Sequence, residues 1–457
     1  MQSGSPSLPQ SPAVPLRLLP IHPRRPEENS SHPVVSREKN SWFYRRWQQA
    51  FWGRLNRLRA GTLVLREGNV VKTFGRTEIA SSAPPTRPAG QVDLATMFAD
   101  DCFSQIPPVS VEILNPRLYG ELALGGSLAA GETYARGWWR ASELTDFLRL
   151  MLRNTQELRL DGGSAWLKRV GHVLLHWWQR NTVRGSRQNI SAHYDLGNDF
   201  FAQFLDPTLS YSCARFSTPQ TDLESASLAK IDDLCQKLDL RAGDHLLEIG
   251  TGWGAFALHA ARKYGCRVTT TTISREQAAH ARAKITNAGL SDRITLLEQD
   301  YRQLRGQYDK LVSVEMLEAV GHQFYDRYFS QCAQLLKPGG KFALQSITIA
   351  DQKFDQYRRG VDFIQRYIFP GGCLPSVTAI CQSLTRATRL RVVQLEDLSA
   401  HYAHTLALWR REFNKNLDKI RALGYPETFL RLWEYYFCYC EAGFRERQIG
   451  LAQLVLA

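Results

Sequence analysis

Residues 246–265 read LLEIGTGWGAFALHAARKYG, and this stretch constrains the fold more than any other in the chain. An apolar strand that carries one acid, Glu248, runs into Gly250, Gly252 and Gly254, and the glycines open a helix. Glycines at such a turn let the backbone approach a ligand that a side chain would block. The turn therefore predicts a dinucleotide phosphate, a methyl-donor nucleoside, or a tight turn with no ligand.

Helical and strand patterns alternate from about residue 221 onward, beginning with LESASLAKIDDLCQKLDL, HLLEI, GAFALHAARKYG and RVTTTT. Such a rhythm is typical of a doubly wound sheet. We expect an α/β fold over residues 221–457, with a Rossmann-like, mainly parallel sheet. From residue 399 the pattern turns aromatic and predicts mostly helix.

The charge of the chain is concentrated at its beginning. The formal net charge is +13 over 457 residues, and residues 1–60 hold ten Lys and Arg against three Glu. Such a basic segment is typical of proteins that bind nucleic acid or an anionic membrane surface, since both attract Lys and Arg through non-specific electrostatic interactions. Because residues 1–40 are rich in Pro, Ser and Arg without periodicity, they predict a disordered basic arm.

Three further segments complete the predicted organisation: an α+β domain over residues 41–160, a linker with active-site cap helices over 161–220, and the catalytic domain. The pattern WFYRRWQQAFWGRLNRL indicates an amphipathic basic helix. Its apolar face is expected from Phe43, Trp47, Phe51, Leu55 and Leu58. This helix either packs on its own domain or lies on a membrane surface.

The sequence predicts a protein that is soluble or peripheral to a membrane. No run reaches the roughly 18 apolar residues of a membrane span, and the first residues lack the pattern of a secretory signal. The nine cysteines are odd in number and show neither CxxC pairs nor zinc-ligand spacing. We therefore expect a cytoplasmic location and no metal site.

Spacing argues against a dinucleotide at the glycine turn. The turn reads GxGxG rather than GxGxxG, and VTTTTISREQ after the second strand offers no acid for a ribose. Ser274, with Gln277 three residues later, predicts a capping box at the next helix. The strand, the E-x-G-x-G-x-G turn and an LLEQD segment ending at Asp300 together resemble class I S-adenosylmethionine-dependent methyltransferases.

Four further blocks look like the cyclopropane-fatty-acyl-phospholipid synthase family. They are NISAHYDLGNDFFAQFLDPTLSYSCARF (189–216), EMLEAVGHQFYDRYF (315–329), LKPGGKFALQSITI (336–349) and YIFPGGCLPS (367–376). The resemblance runs from about residue 190 to the end and weakly through 115–139. It implies transfer of the methyl of S-adenosylmethionine to a cis double bond of a phospholipid acyl chain, followed by proton loss that closes a three-membered ring.

The same resemblance implies which residues act. In the family the base is a bicarbonate ion, and the matching positions here are Cys213, Glu318, Gln345, Ile347 through its backbone, and Tyr402. The family has His where this chain has Gln345, and Gln donates a hydrogen bond but cannot carry a proton near neutral pH. A ring product is therefore less secure than the methyl transfer. Cys440 is a second catalytic candidate.

On the donor side, the residues expected around S-adenosylmethionine are Tyr194, Tyr211, Ser212, Glu248, Gly250, Thr251, Gly252, Trp253, Gly254, Thr272, Ser274, Gln277, Asp300 and Tyr301. An alkene is a poor nucleophile, so the site must stabilise a carbocation and exclude water. Aromatic faces stabilise positive charge. Those expected to do so are Tyr194, Phe200, Tyr211, Trp253, Tyr367 and Tyr402.

Three alternatives remain open. A sister enzyme would leave a methyl or methylene branch without closing a ring, and Gln345 favours it. A nucleic-acid methyltransferase is disfavoured, because SVEMLEAVG lacks the Asn or Asp, Pro, Pro, aromatic run of base methylation. A lipid-binding scaffold with an inactive fold is disfavoured by the intact glycines. Expected partners are an unsaturated phospholipid and the anionic inner face of the membrane, with a homodimer left open and no nucleic acid.

Overall fold

The computed structural model describes residues 42–75, 105–158 and 196–457. The predicted arm (1–40), most of the predicted linker and Tyr194 lie outside the described residues. Contacts between residues group Phe43–Ala457 into one compact unit. The boundaries predicted within that unit therefore stay predictions.

The first part of the unit is a small α+β layer. Its elements are α1 (Trp42–Leu55), β1 (Thr62–Glu67), β2 (Val70–Gly75), β3 (Val109–Ile113), α2 (Leu118–Ala135), β4 (Trp139–Ala141), α3 (Leu144–Arg153) and α4 (Thr155–Leu158). The four strands lie in the order β2-β1-β3-β4. β1 is antiparallel to β2 and parallel to β3. Three of these strands come from two β-rich stretches of the sequence, TLVLREGNVVKTFG (62–75) and VSVEI (109–113).

Helix α1 packs on its own sheet along part of its length. Leu55 is buried, and the ring of Phe51 lies 5.5 Å from that of Tyr119. The Gln48 side chain donates to the Glu67 carboxylate of β1 at 2.7 Å. Trp47, on the same predicted apolar face, is 41% exposed, so the sheet covers that face only in part.

The second part contains a seven-stranded sheet. Its strands are β5 (His245–Ile249), β6 (Arg267–Thr271), β7 (Ile294–Leu297), β8 (Tyr308–Val314), β9 (Leu336–Ile349), β10 (Val392–Asp397) and β11 (Ile449–Leu456), in the order β10-β11-β9-β8-β5-β6-β7. β5 to β9 are parallel, and β11 runs antiparallel to both β9 and β10. The predicted doubly wound, mainly parallel sheet is confirmed. Helices fill most of residues 399–457, as predicted, and β11 is an additional strand at the end of that segment.

Eleven helices within the described ranges cover the faces and one end of this sheet. They are α5 (Asn198–Phe201), α6 (Leu223–Lys237), α7 (Ala255–His259), α8 (Arg275–Asn287), α9 (Tyr325–Leu335), α10 (Asp351–Tyr357), α11 (Phe363–Tyr367), α12 (Val377–Ala387), α13 (Ser399–Lys415), α14 (Leu417–Ala422) and α15 (Glu427–Arg445). None of the described helices has the length and apolar character that crossing a membrane requires.

The start of α8 differs in one detail from the predicted capping box. The Ser274 hydroxyl accepts from the backbone N–H of Gln277 at 3.3 Å, as predicted. The Gln277 side chain does not complete the box, because its Oε1 accepts from the Thr272 hydroxyl at 2.9 Å. The Thr272 hydroxyl thus takes the Gln277 side-chain oxygen in place of the Ser274 backbone N–H. The Gln277 side chain therefore points toward the end of β6.

Helix α15 joins the two sheets. It packs against α13 on one side and against α2 and α3 on the other. Just after it, the Glu446 carboxylate accepts from Arg149 and from Arg153, each at 2.8 Å, and Glu446 and Arg149 are almost completely buried. Aromatic side chains fill the remaining space, including Phe200, Phe204, Trp409, Phe413, Trp433 and Phe437. This packing holds α15 rigidly over the carboxyl ends of the central strands.

Candidate active site

One cavity of about 1480 Å³ lies at the carboxyl ends of the central strands. Its wall takes residues that follow β5, β6, β7 and β8, and it continues to α2, α11 and α15. In open parallel sheets ligands bind at this edge, where the loops leave the strands. The cavity therefore has a strand-end side, around the glycine turn, and a helix-covered side.

The glycine turn supplies the strand-end side with bare backbone. Gly250, Gly252 and Gly254 have φ values of 105°, 51° and 90°, a region that residues with a Cβ rarely adopt. A Cβ added at Gly252 would meet no atom within 4 Å among the described residues, whereas one at Gly254 would lie 3.1 Å from the Cβ of Ala281. Gly252 thus leaves room for a ligand, and Gly254 allows α7 and α8 to approach each other.

Eleven of the predicted donor residues line this cavity: Tyr211, Ser212, Glu248, Gly250, Thr251, Gly252, Trp253, Thr272, Gln277, Asp300 and Tyr301. Gly254 and Ser274 lie outside its lining and act at helix starts. Asp300 caps the short 3-10 turn Tyr301–Gln303, and its carboxylate accepts from the Arg302 guanidinium at 2.7 and 2.8 Å. The cradle and its polar rim fit a nucleoside with an amino acid tail.

Two buried ionisable side chains lie beside the cradle. Thr270 donates to the Glu248 carboxylate at 2.6 Å, and burial raises the pKa of Glu248 to about 8. Lys230 donates to the Ser212 hydroxyl at 2.8 Å, and burial lowers the pKa of its ammonium against the opposing effect of Glu315. Sequence reasoning missed Lys230, although it lies on the face of α6 that Ala226, Ile231 and Leu234 also bury.

Glu315 is the centre of the helix-covered side, and sequence reasoning missed it as well. Its Oε2 accepts from the Tyr402 hydroxyl at 2.6 Å, and its Oε1 accepts from the Cys213 backbone N–H at 2.9 Å and the Gln345 amide at 2.8 Å. Burial raises its pKa, while these three donors lower it. Because all three groups donate, the pocket is built for the ionised carboxylate. The available signal was an acid in EMLEAVG, three residues before Glu318.

Glu318 has a different environment. Its Oε1 accepts from the Ser346 hydroxyl at 3.1 Å and from the Ile347 backbone N–H. Its Oε2 is buried and has no hydrogen-bond partner among the described residues. Burial and the charge of Glu315 raise the pKa of Glu318 to about 8. At neutral pH Glu318 is therefore mostly protonated.

A chain of side chains fixes the orientation of the Gln345 amide. Gln345 and Gln453 are cross-strand partners in β9 and β11, and the Gln453 amide donates to the Gln345 carbonyl at 2.9 Å. The Gln453 carbonyl in turn accepts from the Lys237 ammonium. An ammonium can only donate, so each amide in the chain is forced to point its N–H group toward Glu315.

The predicted catalytic residues divide into two groups. Glu318, Ile347, Tyr402 and Cys440 line the cavity, but Cys213 and Gln345 lie behind its wall. Burial raises the pKa of both the Cys213 and the Cys440 thiol, so neither favours the thiolate. Their predicted roles stay predictions.

Aromatic faces are distributed in the same uneven way. Tyr211, Trp253 and Tyr402 line the cavity. Phe200 is buried in the aromatic core, and the Tyr367 hydroxyl donates to Glu132. Three of the six aromatic residues expected near a carbocation thus have access to the cavity.

The donors predicted to hold bicarbonate are already engaged, and Glu318 Oε2 is the one polar atom of the predicted set without a partner among the described residues. Glu315 accepts from Cys213, Gln345 and Tyr402, and Glu318 accepts from the Ile347 backbone N–H. A bicarbonate ion would have to displace a carboxylate of the chain from these donors, and it would do so beside a second carboxyl group. The residues present therefore do not fit bicarbonate as an additional ligand.

Comparison with known proteins agrees with the site. Residues 181–454 match the family described as "Mycolic acid cyclopropane synthetase". The chain is 41% identical over 338 residues to the tuberculostearic acid methyltransferase UfaA1 of Mycobacterium tuberculosis, covering 72% of this chain and 79% of that protein. It is 38% identical over 354 residues to the cyclopropane-fatty-acyl-phospholipid synthase of Escherichia coli K12, covering 77% and 88%.

A solved structure gives the same result. The mycolic acid cyclopropane synthase CmaA1, complexed with SAH and CTAB, is 34% identical and superposes with a TM-score of 0.56, covering 59% of this chain and 97% of that one. The glycine cradle described above fits the nucleoside of such a complex. The chain belongs to the mycolic acid cyclopropane synthetase family and is an S-adenosylmethionine-dependent methyltransferase of the cyclopropane-fatty-acyl-phospholipid synthase type.

Proposed function

We propose that the protein transfers the methyl carbon of S-adenosylmethionine to the cis double bond of a phospholipid acyl chain, and that loss of a proton then closes a cyclopropane ring. One observation carries this proposal: a single cavity joins a nucleoside cradle at the glycine turn to the half-buried Glu315 carboxyl group, which accepts three hydrogen bonds. Methyl transfer needs the first feature, and proton removal needs the second.

The donor supplies an electrophilic methyl group on a sulfonium. The chain binds it through the backbone at Gly250 and Gly252, with Trp253 and Tyr211 beside it. Trp253 is held in place because its indole N–H donates to the Asn198 side chain at 2.7 Å. A fixed cradle matters because an alkene attacks only from a well-aligned, close approach.

The helix-covered side protects the electron-deficient carbon that remains after methyl transfer. Tyr402 presents its ring to the cavity and stacks on Phe444 at 4.6 Å, and Tyr211 stacks on Phe369 at 6.2 Å. Aromatic faces stabilise a cation by about 0.5–2 kcal/mol each, and more where water is excluded.

Bicarbonate was the expected proton acceptor, but its predicted ligands are occupied by Glu315 and Glu318. No step of the proposed reaction is therefore assigned to bicarbonate. The requirement for a base remains, and it must be met by a group that already lies in the cavity wall.

The substrate is proposed to be a lipid within a membrane. Cavity-lining side chains that are also exposed include several cations, Arg54, Lys353, Arg359 and Arg447. Cations at the exposed end of the cavity suit a phosphate headgroup. The basic charge of residues 1–60 supports binding to the anionic inner face of the membrane, at about 1 kcal/mol per Lys or Arg near the surface. Deleting residues 1–60 should make vesicle flotation weaker and less sensitive to salt.

One difference between this chain and the family pattern favours a second product, an acyl chain with a methyl or methylene branch. Gln345 stands where the family has His, and the relative that is 41% identical is named a tuberculostearic acid methyltransferase. If the proton leaves a chain carbon instead of the added methyl, the product is a methyl-branched alkene. A hydride shift before proton loss gives a methylene branch.

The test incubates the full chain with methyl-deuterated S-adenosylmethionine and vesicles of dioleoyl phosphatidylglycerol, followed by mass spectrometry and carbon-13 NMR of the released fatty acids after their separation from unreacted oleate. A ring retains two of the three deuterium atoms and shows no alkene carbon. A methyl-branched alkene retains all three, and a methylene branch retains two but shows the two alkene carbons of an exocyclic double bond. Absence of any methylated lipid would refute the proposal, with Gly252→Val as the donor-binding control.

A further inference from the structure

We infer that the Glu315 carboxylate is the proton acceptor of this reaction and takes the place that a bicarbonate ion would occupy. The inference rests on the proposed function and names the base for it. Glu315 lines the cavity, and its two oxygens receive every hydrogen bond that the Cys213 backbone, the Gln345 amide and the Tyr402 hydroxyl direct there.

The three donors converge from distant parts of the chain. Cys213 lies in the loop before α6, Gln345 in β9 and Tyr402 in α13. A carboxylate and a bicarbonate ion present the same planar pair of oxygens, so one set of donors cannot serve both. Three members of the set that the family resemblance assigns to the ion here bond the Glu315 side chain instead.

The backbone at Glu315 is strained in a way that supports a functional role. Its φ is 49°, in the left-handed region that residues with a long side chain rarely enter. The Glu315 backbone N–H donates to the Gln345 backbone carbonyl at 2.8 Å, and this bond fixes the conformation at the end of β8. Strain of this kind persists where surrounding contacts over-determine it, and it is concentrated at active sites.

Burial raises the pKa of Glu315, and its three hydrogen-bond donors and the Lys230 ammonium on α6 lower it in opposition. Burial and the charge of Glu315 raise the pKa of the neighbouring Glu318 to about 8, so Glu318 holds a proton at neutral pH. A buried base with a neutral acid three residues away resembles the arrangement in which two carboxyl groups are driven to opposite protonation states. Glu315 is therefore ready to accept one proton.

The proposed step is balanced without an oxidant or reductant. When the added methyl carbon has bonded to one alkene carbon, the other alkene carbon lacks an electron pair. A C–H bond of the added methyl breaks, its proton moves to a Glu315 oxygen, and its electron pair forms the carbon–carbon bond that closes the ring. The proton passes to solvent after the product leaves, which restores the carboxylate.

The experiment compares buffers depleted of carbon dioxide with the same buffers containing added bicarbonate. The full chain acts on phosphatidylglycerol vesicles with methyl-deuterated S-adenosylmethionine, and methylated fatty acid is measured by mass spectrometry. We expect the wild type to work at the same rate in both. Glu315→Gln should lose activity by about 100-fold or more, which is the usual contribution of a general base. Glu315→Gly should be inactive alone and regain activity with bicarbonate or formate.

Binding of S-adenosylhomocysteine and the midpoint of thermal unfolding separate loss of the base from loss of the fold. Glu298→Gln, at an exposed acid that pairs with Arg282, serves as the matched control and should leave activity unchanged. Wild-type activity that falls on removal of bicarbonate and recovers with it overturns this inference alone. So does a fully active Glu315→Gln. No methylated lipid from the wild type in either buffer overturns the proposed function itself.

Discussion

The two sides of the cavity are built in opposite ways. The strand-end side is formed by consecutive strand ends, and its central element is a turn where side chains are absent at Gly250 and Gly252. The helix-covered side is formed by polar side chains, with Glu315 bonded to a residue 102 positions away in one direction and 87 in the other. The strand-end side binds its ligand because the glycine turn leaves space for it. The helix-covered side acts through the carboxyl group of Glu315.

The largest effect, on donor binding, is expected from a substitution that fills the space beside the glycine turn. Gly252→Val places a branched side chain at a φ of 51° and directs it into open space beside the turn. Strain of about 1–3 kcal/mol and lost volume should weaken binding of S-adenosylhomocysteine by about 100-fold. Isothermal titration calorimetry measures this change.

Gly243→Ala is the matched control, because a Cβ there would also meet no atom within 4 Å among the described residues but lies outside the cavity lining. It should keep wild-type affinity. Equal affinity in the Gly252→Val variant would show that the turn does not contact the donor.

The second prediction compares one buried acid from each side. Burial raises the pKa of Glu248 and of Glu318 to about 8, from about 4.3 in an unfolded chain. A raised pKa in the folded state gives stability that is fully present below the unfolded pKa and lost as pH rises toward 8. The free energy of unfolding should therefore fall by about 2 kcal/mol or more between pH 5 and pH 8.

Urea unfolding at both pH values tests this dependence. Glu248→Gln and Glu318→Gln should each flatten it, whereas the exposed Glu298→Gln should not. If the Glu318 variant retains the wild-type dependence, Glu318 is not the protonated member of its pair, and the division of charge between Glu315 and Glu318 is incorrect.

The same contrast explains what could be read from the sequence. The glycine turn and the parallel sheet were predictable because each depends on neighbours in the chain, and local periodicity reports them directly. β11 was missed because IGLAQLVL is a continuous apolar run at the chain end, which periodicity alone does not assign. Its position is fixed by pairing with β9 over a long separation.

The helix-covered side could be predicted only in part. Tyr402 and Glu318 were found through motif resemblance, and both line the cavity. Glu315 and Lys230 were missed because neither belongs to a local pattern that requires it. Their roles depend on hydrogen-bond partners that lie far apart in the sequence. Only folding brings these partners to the buried ionisable group.

The third prediction removes one donor from Glu315. Tyr402→Phe keeps the ring at the cavity wall but deletes the hydroxyl that lies 2.6 Å from Oε2. A hydrogen bond to a charged group contributes about 1.5–3 kcal/mol, so turnover should fall at least about tenfold. The ionised form of Glu315 becomes less favourable and its pKa rises, which should move the acidic limb of the pH–rate profile to higher pH.

Affinity for S-adenosylhomocysteine should stay unchanged in this variant, because the hydroxyl serves the other side of the cavity. Tyr308→Phe is the control, since its hydroxyl donates to the Arg305 carbonyl at 3.3 Å, away from Glu315. A profile that falls in height without moving along the pH axis would contradict a link between Tyr402 and the charge on Glu315.

The smallest effect on turnover is expected from Lys237, which is connected to Glu315 only through two glutamine side chains. Lys237 never reaches the cavity lining, yet its ammonium donates to the Gln453 carbonyl and thereby orients Gln453, then Gln345, toward Glu315. Lys237→Met keeps most of the side-chain volume but lets the Gln453 amide turn over. Loss of one oriented hydrogen bond should lower turnover about threefold and shift the acidic limb in the same direction as Tyr402→Phe.

Lys341→Met is the matched control, because Lys341 pairs with Asp239 at the surface and has no part in this chain of amides. It should leave both turnover and the pH profile unchanged. A Lys237 variant that loses stability but keeps the wild-type profile would mean that Lys237 serves only its ion pairs with Asp233 and Glu396. A shifted profile would extend the helix-covered side of the site, through two glutamines, as far as the end of α6.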